Sequence, residues 1–170
     1  MNLFWHKLDS GLRHLIPALV SFLMALLTVI AWPVPWLGTI MPPLSLIALY
    51  YWTCHRPDLF PIGVAFALGL LTDSLSGLPI GVSAFLFTLA HFVILRQRRF
   101  FAGHSFIVLW LGFALTTFIL TLMQYLILFV LRGEATPLFP LFFQTILGAL
   151  FFPLPCWIFI RLQRTALGAE

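Results

Sequence analysis

Charge is what this sequence has least of. Only 8% of its 170 residues are Asp, Glu, Lys or Arg, while 62% are hydrophobic; a soluble domain carries about 25% charged residues. The mean hydropathy is +1.08. Water cannot solvate such a surface, which excludes a soluble globular protein and makes the bilayer the starting point for the fold. There is room for about six helices and little else, so a separate soluble domain is excluded as well. Residues 1–170 read as a single integral membrane domain. Cysteine is scarce: Cys54 and Cys156 lack metal-ligand spacing. Both fall toward cytoplasmic helix ends, where a reducing environment disfavours a disulfide. No His, Cys or acidic residues stand at metal-ligand spacing, and no cofactor is expected. A nucleophile elbow, a paired zinc motif, a Walker loop and a carboxylate pair are all missing, which points away from an enzyme. Internal repeats, heptads and low-complexity linkers are missing too.

What the sequence has is apolar runs. Six can be drawn, at about 15–34, 36–53, 59–76, 79–95, 105–131 and 138–160. Each is close to the ~20 residues that cross ~30 Å of hydrocarbon. The expected fold is an all-α membrane protein, a bundle of six transmembrane helices. Its charges orient it. Lys7, Arg13, Arg56, Arg96, Arg98, Arg99, Arg161 and Arg164 fall on one side of a six-span arrangement, and only Arg132 on the other. The side rich in Lys and Arg is cytoplasmic, so both termini are expected inside. The net charge of +4 reflects this orientation rather than nucleic-acid binding. Trp32 and Trp36 at the first outer turn, and Tyr50, Tyr51, Trp52 and Trp157 near inner ends, fit interfacial belts. Trp5, Leu8, Leu12 and Leu15 recur with helical period, so residues 1–14 read as an amphipathic segment on the inner membrane surface. The first apolar run is too long for a signal-peptide core and no small-residue cleavage site follows it. It reads as a retained span.

The most informative stretch is GLLTDSLSGLPIG, residues 69–81. Asp73 is the one acidic residue inside an expected span, and it falls in the last turn of its helix. There the helix dipole opposes a carboxylate, so Asp73 needs a donor. The choices are Ser74 or Ser76, backbone N–H groups at the start of the fourth helix near Gly81, or a partner's side chain. Ala65, Gly69 and Asp73 share a small face that admits a neighbouring helix closely. Gly77 suits a left-handed helix stop and Pro79 the first turn of the next helix. The reading is helix, tight turn, helix, with the carboxylate fixing the turn or meeting a partner. Gln124 and Gln144 lie equidistant from Glu134, so an interhelical amide pair is expected. The Arg96, Arg98, Arg99 cluster marks topology and suits anionic lipid headgroups. His91 is expected to snorkel or to bond a carbonyl.

The run HRPDLFPIGVAFALGLLTDSLSGLPIGVSAF resembles the rod shape-determining protein MreD family through Arg56, Pro57, Gly63, Ala65, Phe66, Gly69, Leu70, Leu71, Asp73, Gly77 and Gly81. The C-terminal FFPLPCWIFIRLQR is similar to that family's last span. The resemblance implies a non-enzymatic, multi-pass scaffold of the bacterial inner membrane. Its implied partners are MreC directly and, in the wider elongation complex, MreB, RodA and penicillin-binding protein 2. It further implies support of rod shape and lateral peptidoglycan synthesis, and a fold similar to the S components of energy-coupling-factor transporters. That last likeness raises an alternative function: a transport subunit binding a small molecule or lipid.

Overall fold

A computed structural model describes residues 16–28, 42–102, 105–133 and 138–166. The described residues are helical: α1 (Ile16–Leu27), α2 (Leu44–His55), a 3₁₀ turn (Pro57–Leu59), α3 (Ile62–Ser76), α4 (Val82–Ala102), α5 (Phe106–Arg132), α6 (Leu138–Phe151) and α7 (Pro153–Ala166). No strand occurs among them. The amphipathic segment 1–14 and the outer-turn Trp32 and Trp36 lie outside the described residues.

The bundle is built around α2. Every side chain from Ser45 to Cys54 on this helix is buried, as expected of a helix apolar all round. It packs on α4 most extensively, and also on α7, α5 and α3. This corrects the belt assignment of Tyr50, Tyr51 and Trp52. All three are core residues, fully or almost fully enclosed. The two tyrosine hydroxyls find internal acceptors instead of the interface: Tyr50 Oη donates to the Leu109 carbonyl at 3.2 Å, and Tyr51 Oη to Gln163 Oε1 at 3.1 Å. The buried Trp52 indole N–H has no hydrogen-bond partner among the described residues. Trp157 does lie on the outside, 58% exposed, with the Arg161 guanidinium 4.4 Å above its ring.

Four boundaries differ from expectation. The second helix begins at Leu44, directly after Pro42 and Pro43, because proline stops a helix upstream and suits its start. The fourth helix begins at Val82 rather than Pro79, and Pro79 sits in the connecting turn, its carbonyl accepting from the Val82 N–H at 3.3 Å. The same helix continues to Ala102, through the arginine cluster expected to be a connection, since Arg and Gln are good helix formers. The sixth apolar run is two helices, bent by 42° at Phe152. Pro153 and Pro155 lack the N–H groups that a straight helix would use there.

Among the described residues, α5 alone is long and apolar enough to cross a membrane by itself, with a mean hydropathy of 2.3 in its most apolar window. The bent α6–α7 pair meets the same test when taken together, whereas α1 and α3 are apolar but shorter.

Candidate functional site

The end of the bundle that carries the α3–α4 junction brings together most of the singled-out residues. Asp73 is fully buried there. Its Oδ2 accepts the Gly81 N–H at 2.8 Å and the Ala84 N–H at 3.4 Å, and its Oδ1 accepts the Ser83 N–H at 2.8 Å. Of the three donors considered, the backbone N–H groups near Gly81 are the ones present. Ser74 Oγ instead donates to its own helix, at the Leu70 carbonyl. The electrostatic objection to Asp73 is thereby resolved. The carboxylate stands at the C-terminal end of α3, but its oxygens face the orphan N–H groups at the N-terminus of α4, where a negative group is favoured.

Backbone geometry brings those donors into reach. Gly77 takes the left-handed conformation (φ 65°) and closes α3, its N–H bonding the Asp73 carbonyl. The Leu78 N–H reaches the same carbonyl at 3.2 Å. Gly81 also has a positive φ, 107°, a conformation glycine adopts without a Cβ penalty. One residue thus holds both ends of the turn, with its main-chain carbonyl on α3 and its side chain on α4.

The small face of α3 is used inside the chain. A Cβ on Gly69 would lie 2.4 Å from Ala84 Cα and 2.7 Å from the Ser83 carbonyl oxygen. Ala65, Gly69 and Asp73 are all buried, and α3 packs most extensively on α4. The helix admitted by this face is therefore α4 of the same chain. Of the two roles open to these positions, structural or partner contact, the intrachain packing on α4 supplies the structural one. Arg56 and Pro57 form the turn between α2 and α3: the Arg56 N–H caps α2 on the Trp52 carbonyl, and Pro57 opens the 3₁₀ turn.

Beside this junction lies a cavity of about 500 Å³. Gln124 and Gln144 both line it. No hydrogen bond joins them, which corrects the expected amide pair. The polar links from α5 to α6 are instead Trp110 Nε1 to the Ala149 carbonyl, at 2.7 Å, and Thr145 Oγ1 to Thr121 Oγ1, at 3.4 Å. Thr117 also lines the cavity; its hydroxyl is buried and unpartnered. Thr117, Thr121 and Gln124 stand at i, i+4 and i+7 on α5, a polar stripe at helical spacing. That spacing is the signal by which the sequence could have revealed the cavity wall.

The opposite end of α4 is different. His91 is buried and its Nδ1 pairs with Thr53 Oγ1 of α2 at 3.0 Å, so it neither snorkels nor bonds a carbonyl. Arg96 stacks its guanidinium 4.9 Å from the Phe92 ring, and Arg98 is partly exposed; the Arg99 side chain lies outside the described residues. Cys54 and Cys156 are free and buried.

The family model described as rod shape-determining protein MreD matches residues 9–164. An uncharacterized protein of Rickettsia prowazekii (strain Madrid E) is 25% identical over 130 residues, 76% of this chain and 73% of that protein. No solved structure matches the chain.

Proposed function

Because the chain belongs to the rod shape-determining protein MreD family, we propose that it is a non-enzymatic, multi-pass scaffold of the bacterial cell-elongation machinery. In this reading it sits in the inner membrane as one six-span domain with both termini cytoplasmic. It supports rod shape and lateral peptidoglycan synthesis by holding MreC directly and, through the complex, MreB, RodA and penicillin-binding protein 2. The family match over almost the whole chain carries the proposal. The internal organisation agrees with a scaffold: conspicuous polar side chains such as Asp73 and His91 are engaged in holding helices together. The large apolar side chains left outside, such as Leu115 on α5 and Ile146 on α6, suit lipid or a membrane partner.

The experiment is depletion of this chain in its own bacterium, with complementation and capture. Depleted cells are expected to lose their rod shape and to recover it with the wild-type chain, and MreC is expected to co-purify with the chain from detergent extracts. Rods that persist after depletion would refute the shape role. Restored rods without MreC capture would refute the direct MreC contact alone.

A further inference from the structure

The cavity beside the Asp73 junction has the size and lining of a ligand site. Its volume of about 500 Å³ falls within the roughly 300–1,000 Å³ range of small-molecule sites. Its wall draws on α1 to α6, from Ala25 to Gln144. Among the described residues, no charged side chain lines it. The nearby Asp73 is fully buried, is not part of the lining and has its oxygens engaged by backbone N–H groups, so it does not contact an occupant directly. An ion entering this space would meet dipoles but no opposite charge among the described residues, and would still give up part of its hydration. A neutral occupant is favoured.

The wall also says what that occupant has. Gln124 and Gln144 present two primary amides, each with donors and an acceptor. Neither has a protein hydrogen bond among the described residues. Most described hydroxyls on these helices bond back to the carbonyl four residues earlier, as in Thr28, Thr72 and Thr116. Thr117 does not. These groups suit hydroxyls or amides on a ligand. Leu46, Leu86 and Phe87 line the same space and suit an apolar group rather than water. We propose that this cavity binds an uncharged amphiphile, a hydroxyl- or amide-bearing head joined to a small apolar group. Such a molecule comes either from the membrane, as a neutral lipid, or from solution, as an apolar-substituted neutral solute. The inference is independent of the scaffold reading, since a scaffold needs no ligand.

The test uses the full chain in a nonionic polyoxyethylene detergent, with native mass spectrometry as the readout. Three probes are offered separately: 1-octanoylglycerol as the membrane-partitioning arm, butyl β-D-glucoside as the dissolved arm, and octyl phosphate as the charged control. One equivalent of at least one neutral probe is expected, and octyl phosphate at no more than about a tenth of that occupancy. Retention of the glyceride alone assigns the membrane source, and retention of the glucoside alone the dissolved one. The Gln124→Leu/Gln144→Leu variant keeps side-chain size and is expected to bind about tenfold more weakly. If its thermal midpoint shows that it has not folded, Thr121→Val replaces it with the same expectation. No neutral adduct, equal retention of octyl phosphate, or unchanged binding in a folded variant would each overturn the proposal, and the first would leave a water-filled space.

Discussion

Asp73 satisfies donors that no other group reaches. Replacing it with Ala leaves the Gly81 and Ser83 N–H groups without their acceptor, and each unsatisfied buried donor costs about 1–3 kcal/mol. Asp73→Ala is therefore expected to lose on the order of 2–5 kcal/mol of stability, with Asp73→Asn between it and wild type, because one carboxamide oxygen still accepts. Thermal unfolding in detergent checks this ranking; an Ala variant as stable as wild type would mean the junction holds itself without the carboxylate. Gly69 makes a second prediction at this scale. A methyl there meets backbone atoms of α4, not a side chain that can rotate away, so Gly69→Ala is expected to destabilise by about 1–3 kcal/mol. Gly63 has open space around its Cβ position, and Gly63→Ala should be neutral or stabilising by about 0.5–1 kcal/mol. Equal responses at the two glycines would contradict the close approach of α3 and α4. The sequence narrows the donor to Asp73 to three choices, one of them the start of the next helix, which Gly77 and Pro79 keep within reach through a short connection, but it does not choose among them. The identity of the helix meeting Gly69 is not legible there. Small residues four apart tell that something approaches, but whether it is a neighbour in the chain or another protein depends on the tertiary arrangement.

Among the elements, the broken pair α6–α7 shows where hydropathy and geometry separate. The apolar run is continuous, so it reads as one span, although Pro153 and Pro155 are in plain view. Two prolines tell that a helix is weakened and leave open how far it bends. The bend is set by what Phe152 packs against. Its side chain is completely buried, stacked 4.4 Å from the Phe113 ring and edge-on to Tyr50 at 5.9 Å. Phe152→Ala is expected to cost about 3–5 kcal/mol, the range for truncating a buried aromatic. Phe139, on α6 but largely exposed, should change stability by no more than about 0.5 kcal/mol when replaced by Ala. Equilibrium unfolding of both variants in the same detergent decides the matter, and comparable losses would remove Phe152 as the anchor of the bend. The same tertiary logic explains Tyr50, Tyr51 and Trp52. Aromatic side chains near a helix end suit a belt or a core equally well, and only the ring of helices around α2 selects the core.

For the whole molecule, α4 offers a direct test of the proposed six-span arrangement. Its 21 residues extend about 31 Å at 1.5 Å per residue, but the apolar part before Arg96 covers only about 21 Å, so α4 reaches across ~30 Å of hydrocarbon only with its arginine turn at the interface. The Asp73 junction lies at one end and the arginine cluster at the other. If the arginines are cytoplasmic, as the bias of Lys and Arg toward that side requires, the junction and its cavity face the opposite side. Two variants that each gain one cysteine separate the possibilities. Ile80 is 78% exposed at the junction, and Gln97 is exposed beside the arginines. The native Cys54 and Cys156 are buried and give little background. A membrane-impermeant maleimide applied to spheroplasts is expected to label Ile80→Cys at once and Gln97→Cys only after lysis. Labelling of both from the same side would break the span through α4, and the reverse order would invert the topology. Replacing Arg96, Arg98 and Arg99 together with Gln removes the charge bias at that end while keeping good helix formers in place. The sharp difference in labelling between the two ends is then expected to weaken, because the orientation of α4 no longer has its local charge asymmetry. An unchanged pattern would shift the orienting role to the basic residues elsewhere on that side, Lys7 and Arg13 before α1, Arg56 after α2, and Arg161 and Arg164 near the other end of the chain.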